Sequence, residues 1–151
     1  MYNRGSSKLE NTMKYINPGY KHEERCGILT NIAIISGYDL HLSRGFPDGT
    51  IPDVLRLDSS CGRIFLGEAK DTESPGVLHT RKRLLNYLDW FRLVSFQRRG
   101  SLFVLCVGNE NDVDRWENTM SELALTASIK NTNIISESID HENFLIIMKL
   151  L

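Results

Sequence analysis

The chain has three cysteines, too few and too far apart for a disulfide framework. Cys26, Cys61 and Cys106 match no zinc-ligand spacing, and two of them fall in apolar segments, where thiols serve as small hydrophobes. A reducing cytoplasm is the setting expected of such a chain. No apolar run approaches the length of a membrane span. The polar start MYNRGSSKLENTMKY does not read as a secretory leader. Net charge is only −1, which argues against a protein that coats nucleic acid indiscriminately. Internal repeats and low-complexity tracts are absent, and so are a Gly-rich phosphate loop and a serine nucleophile with its triad. No helix-turn-helix or zinc finger offers to read a base sequence. His22, His41 and His141 have no spacing that suggests a metal site.

What remains is an ordinary folded composition, 41% hydrophobic and 25% charged over 151 residues, enough for one domain with a sizeable core. Residues 1–19 read as an arm or frayed helix ending at Asn17-Pro18-Gly19, and residues 20–151 as a single domain. Residues 20–36 read as a helix with Ile28, Ile32 and Ile35 as its apolar stripe and Leu29, Ala33 and Ser36 beside it. Gly37 follows as its C-cap. Residues 38–44 alternate as a strand, and Pro47-Asp48-Gly49 is a turn. After a loop, DTESPG, helical spacing returns over 77–98, through Leu84, Leu85, Leu88, Phe91 and Val94. Residues 101–108 (SLFVLCVG) are a strand buried on both faces. A helix capped by Asp112 or Asn111 runs to about residue 128, with Trp116, Met120, Leu123 and Leu125 inward. Short strands at 133–136 and 144–150 end the chain. The fold class is α/β, a mixed sheet flanked by helices in the order α-β-β-β-α-β-α-β.

The segment IPDVLRLDSSCGRIFLGEAK, residues 51–70, carries the chemistry. Ser59-Ser60-Cys61-Gly62 has turn composition, and its glycine tolerates positive φ. A four-residue loop pairs Asp58 with Arg63. Antiparallel register then sets Leu57 against Ile64, Leu55 against Leu66 and Asp53 against Glu68. Period-two alternation puts all six on one face, with the acids together at the open end. Lys70 follows on that face. Opposed carboxylates repel, and a divalent cation between them reverses the sign. Glu-x-Lys alone is a short pattern with little specificity. Apolar partners in register, acids at one end and a lysine on the acidic face make it a constellation.

Pro52-Asp53, fourteen intervening residues and Glu68-Ala69-Lys70 resemble the motif of the PD-(D/E)xK nuclease superfamily, the restriction-endonuclease-like enzymes. The family core of a helix, three antiparallel strands, a helix and a further strand would cover residues 20–108. The resemblance implies a metal-dependent phosphodiester hydrolase, a DNA endonuclease. Asp53 and Glu68 would hold Mg²⁺ or Mn²⁺, with the Ala69 backbone carbonyl as a further ligand. Flanking carboxylates favour the charged form of Lys70, which suits it to orientation and electrostatic stabilisation rather than base work. The family often adds a glutamate from the first helix. Glu24, one turn before Ile28, fits better than Glu23, and the ordinary alternative for both is favourable charge at a helix start.

Asp48 repeats the Pro-Asp dipeptide but lies outside the hairpin register. Arg81, Lys82, Arg83, Arg92, Arg98 and Arg99 cluster in one stretch, as a phosphate-facing patch or a solvated helix face. Of the residues there, Thr80, Arg81 and Lys82 are candidates for substrate phosphate, with His79 beside them. Trp90 and Phe91 read as core. The partner expected is nucleic acid, DNA ahead of RNA, with no membrane, and a homodimer or larger protein complex would supply specificity. Two other readings stay open: a nuclease subunit of a mobile-element or defence complex, and a non-cleaving nucleic-acid-binding module of the same fold.

Overall fold

The computed structural model describes residues 20–43, 45–46, 49–70, 75–95 and 99–151. The N-terminal arm, Pro47-Asp48, Arg98 and most of the DTESPG loop lie outside them.

The element order is α1 (Tyr20–Ile35), β1 (Leu40–His41), β2 (Val54–Leu57), β3 (Ile64–Lys70), α2 (Leu78–Ser95) and β4 (Leu102–Val107), followed by a 3₁₀ turn (Glu110–Asp112), α3 (Val113–Thr126), β5 (Thr132–Asp140) and β6 (Asn143–Leu150). The six strands form one mixed sheet in the order β1-β2-β3-β4-β6-β5. Among the described residues only β3 and β4 pair in parallel, joined through α2, while the other neighbours are antiparallel. Such a crossover returns the chain against the strand direction. The start of α2 therefore lies at the C-terminal end of β3.

Helices cover both faces. On one, Leu29 and Ala33 of α1 pack with Val54, Phe65, Ala69, Val104, Cys106 and Leu145. On the other, α2 and α3 pack their Leu84, Leu88, Phe91, Trp116, Met120 and Leu123 against Leu55, Leu66, Phe103, Leu105 and Ile146. Strands β3 and β4 supply side chains to both layers, which is why their sequences read as continuous apolar runs.

The hairpin register is the one the pattern predicts: Leu57 opposite Ile64, Leu55 opposite Leu66, Val54 opposite Gly67. Its turn closes with Asp58 N–H donating to the Arg63 carbonyl at 2.8 Å, and Gly62 adopts φ +78°. Ser60, Cys61 and Arg63 side chains all donate to the Asp58 carboxylate, so the turn cannot slip.

Several expectations are corrected. The buried line of α1 is Leu29 and Ala33, whereas Ile35 is exposed. The stripe is rotated about one residue from the isoleucines, so that Leu29 stands over Gly67 of the sheet. A Cβ on Gly67 would stand 3.4 Å from Leu29 Cδ1 and 3.0 Å from Phe65. The expected strand over 38–44 shrinks to Leu40–His41 at the sheet edge. In α3, Leu125 points outward, and Ala124 and Ala127 take the inner positions. The strand expected at 133–136 extends over Thr132–Asp140, making a long terminal hairpin with β6 and a strand more than the eight-element order.

Candidate metal and phosphate site

Asp53 lies in the bend before β2, one residue short of the strand. From there its main chain reaches one neighbour and its side chain two others. Asp53 N–H donates to Glu68 Oε1 at 2.9 Å, and Asp53 Oδ2 accepts from Ala69 N–H at 2.8 Å. The N–H and C=O of one strand residue leave by the same edge, so the Ala69 carbonyl is on the Asp53 side too. Glu68 Oε2 lies 3.3 Å from Lys70 Nζ, and both side chains are only 2% exposed. Asp53, Glu68, Ala69 and Lys70 thus form one hydrogen-bonded group at the open end of the hairpin.

Two carboxyl groups, Asp53 and Glu68, share this end with one amine, Lys70. Burial first, and then the Asp53 charge, lifts the Glu68 carboxyl from 4.5 to about 7, with Lys70 opposing. The field reaches both layers. Burial, then Asp53 and Glu68, push the Cys26 thiol of α1 up to about 12. Burial, then Glu68, do the same to the Tyr87 hydroxyl of α2, with a smaller rise from Asp53. Asp53 and Glu68 thus act on a group of each flanking helix, Cys26 of α1 and Tyr87 of α2.

Helix α1 adds a residue that sequence spacing did not offer. His22 Nε2 is 3.2 Å from Asp53 Oδ1. Cys26, one turn on, completes a His22–Cys26–Asp53 group whose ligand atoms all lie within 4.8 Å of one another. The spacing of the histidines along the chain gave no sign of this group. The group draws on a helix and on the bend before β2, 27 residues further along, which no local motif spans. His41 and His141 sit elsewhere, beside Ser43 and Glu142.

Glu24 lies on the other flank of α1. It is two positions from His22, about 200° around the helix. Its carboxylate is 3.3 Å from Lys21 Nζ, which also reaches Glu142 at 2.5 Å. With the inward line running through Leu29 rather than Ile28, Glu24 belongs to the ion pairs that tie α1 to the β5–β6 turn. Arg25 strengthens that tie, donating from Nε to Asn143 Oδ1 at 3.1 Å and from Nη2 to the Glu142 carbonyl at 3.2 Å. Glu23 is exposed.

The basic stretch divides. Arg81 pairs with Glu122 of α3 at 3.0 Å, and Lys82 and His79 are exposed. Arg92 and Arg99 line a cavity of about 300 Å³ with Lys130 and Asn131 towards the other end of α2. Thr80 is 1% exposed, and its hydroxyl finds no hydrogen-bond partner among the described residues; the same holds for Arg83 Nε. Thr80, Arg83 and Tyr87 follow at i, i+3 and i+7, one stripe of α2. Tyr87 feels both Arg83 and Glu68, which sets this stripe beside the carboxylates. Arg83, rather than Arg81 or Lys82, is the basic residue facing inward. Its signal was in the sequence, four residues before Tyr87 on the helix's apolar side.

Comparison with family models, with curated proteins and with solved structures finds no match for the chain.

Proposed function

We propose that the chain is a divalent-metal-dependent phosphodiester hydrolase, a DNA endonuclease of the PD-(D/E)xK type with a restriction-endonuclease-like core. The observation that carries this reading is the convergence of Asp53, Glu68 and Lys70 at one sheet end, with two carboxylates and one ammonium. The donor set fits a hard cation. Carboxylate oxygens of Asp53 and Glu68 and the Ala69 carbonyl are the ligand types that Mg²⁺ and Mn²⁺ take. A net negative, largely buried pair lacks the positive charge that such an ion brings.

A cation held there by Asp53, Glu68 and the Ala69 carbonyl would supply Lewis-acid polarisation of a phosphate and of the attacking water. The chain's own groups do the rest. Asp53 is held by the Ala69 N–H, and Glu68 by the Asp53 N–H, so both carboxylates are oriented before substrate arrives. Lys70, buried against Glu68, presents a fixed positive charge to the oxygen that becomes most negative during displacement at phosphorus. Arg83, half-buried on α2, offers a guanidinium to the substrate backbone, whereas Thr80 is too deeply buried to reach it.

The test is cleavage of plasmid, linear duplex, single strand, branched junction and RNA with Mg²⁺, Mn²⁺ or chelator. Cation-dependent cutting that vanishes in Asp53→Ala and in Lys70→Ala is the expected outcome. Equal cutting by both variants, or none by the wild type on any substrate, would sink the hydrolase reading. In the second case calorimetry with Mg²⁺ separates a non-cleaving binder from a protein with no metal site.

A further inference from the structure

We infer that His22, Cys26 and Asp53 form a site for a zinc-class cation, distinct in ligand chemistry from the hard-oxygen set but sharing Asp53 with it. The inference deepens the proposed function, and it rests on that reading only for its consequence, not for its geometry. A nitrogen, a sulfur and an oxygen ligand already lie within 4.8 Å of one another. Ligands around a tetrahedral zinc, at bond lengths of about 2.0–2.3 Å, stand about 3.3–3.8 Å apart. His22 Nε2 and Asp53 Oδ1, at 3.2 Å, are at that spacing now. The Cys26 sulfur lies within 4.8 Å of both.

The scaffold holds the ligands in place. His22 and Cys26 are i and i+4, so they project from one face of α1. That helix is fixed below by Leu29 over Gly67, and at its side by Arg25 on Asn143 and the Glu142 carbonyl. Asp53 is fixed by the Ala69 N–H. The His22 side chain is 41% exposed, which leaves an entry path. Thiolate and imidazole select zinc or cobalt over magnesium, and three protein ligands leave a fourth position for water or a phosphate oxygen. On binding, the Cys26 thiol gives its proton to solvent and the sulfur–metal bond forms. An Asp53 committed to this ion is withdrawn from the Glu68 set, so zinc-class cations compete with Mg²⁺.

Cobalt(II) is the probe, because a cobalt–thiolate bond absorbs in the near ultraviolet and tetrahedral cobalt in the visible. Titrating the full chain should give both bands, saturating at one equivalent and bleached by zinc. Cys26→Ser should remove the near-ultraviolet band, His22→Ala should weaken cobalt binding at least tenfold, and Glu68→Gln and Cys61→Ser should keep both bands. Thermal melts establish that Cys26→Ser folds, with Cys26→Ala as the second variant. No thiolate band in the wild type, or a band that survives Cys26→Ser, overturns the inference. The two readings fail separately. A protein that cuts DNA with Mg²⁺ but shows no Cys26-dependent band refutes only this site. One that shows the band and cuts nothing refutes only the hydrolase.

Discussion

Glu68 should make the metal-free protein less stable as pH rises. Its carboxyl is held at about 7 in the fold against an ordinary 4.5, by burial first and by Asp53 second. A folded value above the unfolded one means that the fold prefers the neutral acid. That contribution is fully present below the unfolded value and is lost as pH rises through the folded one. Each tenfold change in a group's proton affinity is worth about 1.4 kcal/mol, so the gap sets a ceiling of about 3 kcal/mol. A loss of up to that amount falls between about pH 5 and about pH 8. The assay is urea denaturation in chelator across that window, wild type against Glu68→Gln. The variant has no titrating group at this position, so the difference between the two slopes isolates Glu68. Adding Mg²⁺ at the alkaline end should restore about 2.7 kcal/mol to the wild type when the ion is about a hundredfold above its dissociation constant. The variant should gain much less. Parallel pH profiles for the two proteins would refute the argument that the Asp53–Glu68 pair is electrostatically unbalanced without a cation.

Gly67→Ala should cost about 1–3 kcal/mol by overpacking, because the new methyl would meet Phe65 at 3.0 Å and Val54 at 3.3 Å, and urea melts measure it. Removing the ammonium with Lys70→Met should destabilise the protein by about 3 kcal/mol at alkaline pH, and by less at acid pH, where Glu68 takes up a proton. The same melts at two pH values decide it, and a pH-independent loss would contradict it. Arg83→Ala should weaken DNA binding evenly across sequences and lower the salt slope by about one, read by fluorescence anisotropy at several salt concentrations, while leaving the melting temperature within a few degrees.

Much of the site's frame was legible in the letters. Turn composition and strand alternation located the hairpin and its register to the residue, because a one-residue slip would turn every apolar side chain out of the core. The apolar run at β4 announced a strand covered on both sides. Helix faces were read less well. Isoleucines drew the stripe of α1 one residue off, and Glu24 was placed by that stripe. Hydrophobicity alone does not report that the sheet beneath α1 has a glycine at its closest approach. His22 and Cys26 escaped notice for a different reason: their companion is on another element, and no local spacing encodes it.

Periodicity and turn chemistry, which are local, determined from the sequence a β-ribbon in register from Leu57–Ile64 to Val54–Gly67, with Asp53, Glu68 and Lys70 just beyond its open end. Only the tertiary structure decided which way α1 faces, and hence that a histidine and a thiol approach Asp53 while Glu24 pairs with Lys21. It also decided that Arg83 turns inward while Arg81 is drawn to α3. Those outcomes depend on how closely two elements can pack and on which buried charges find partners, and both are properties of the assembled layers.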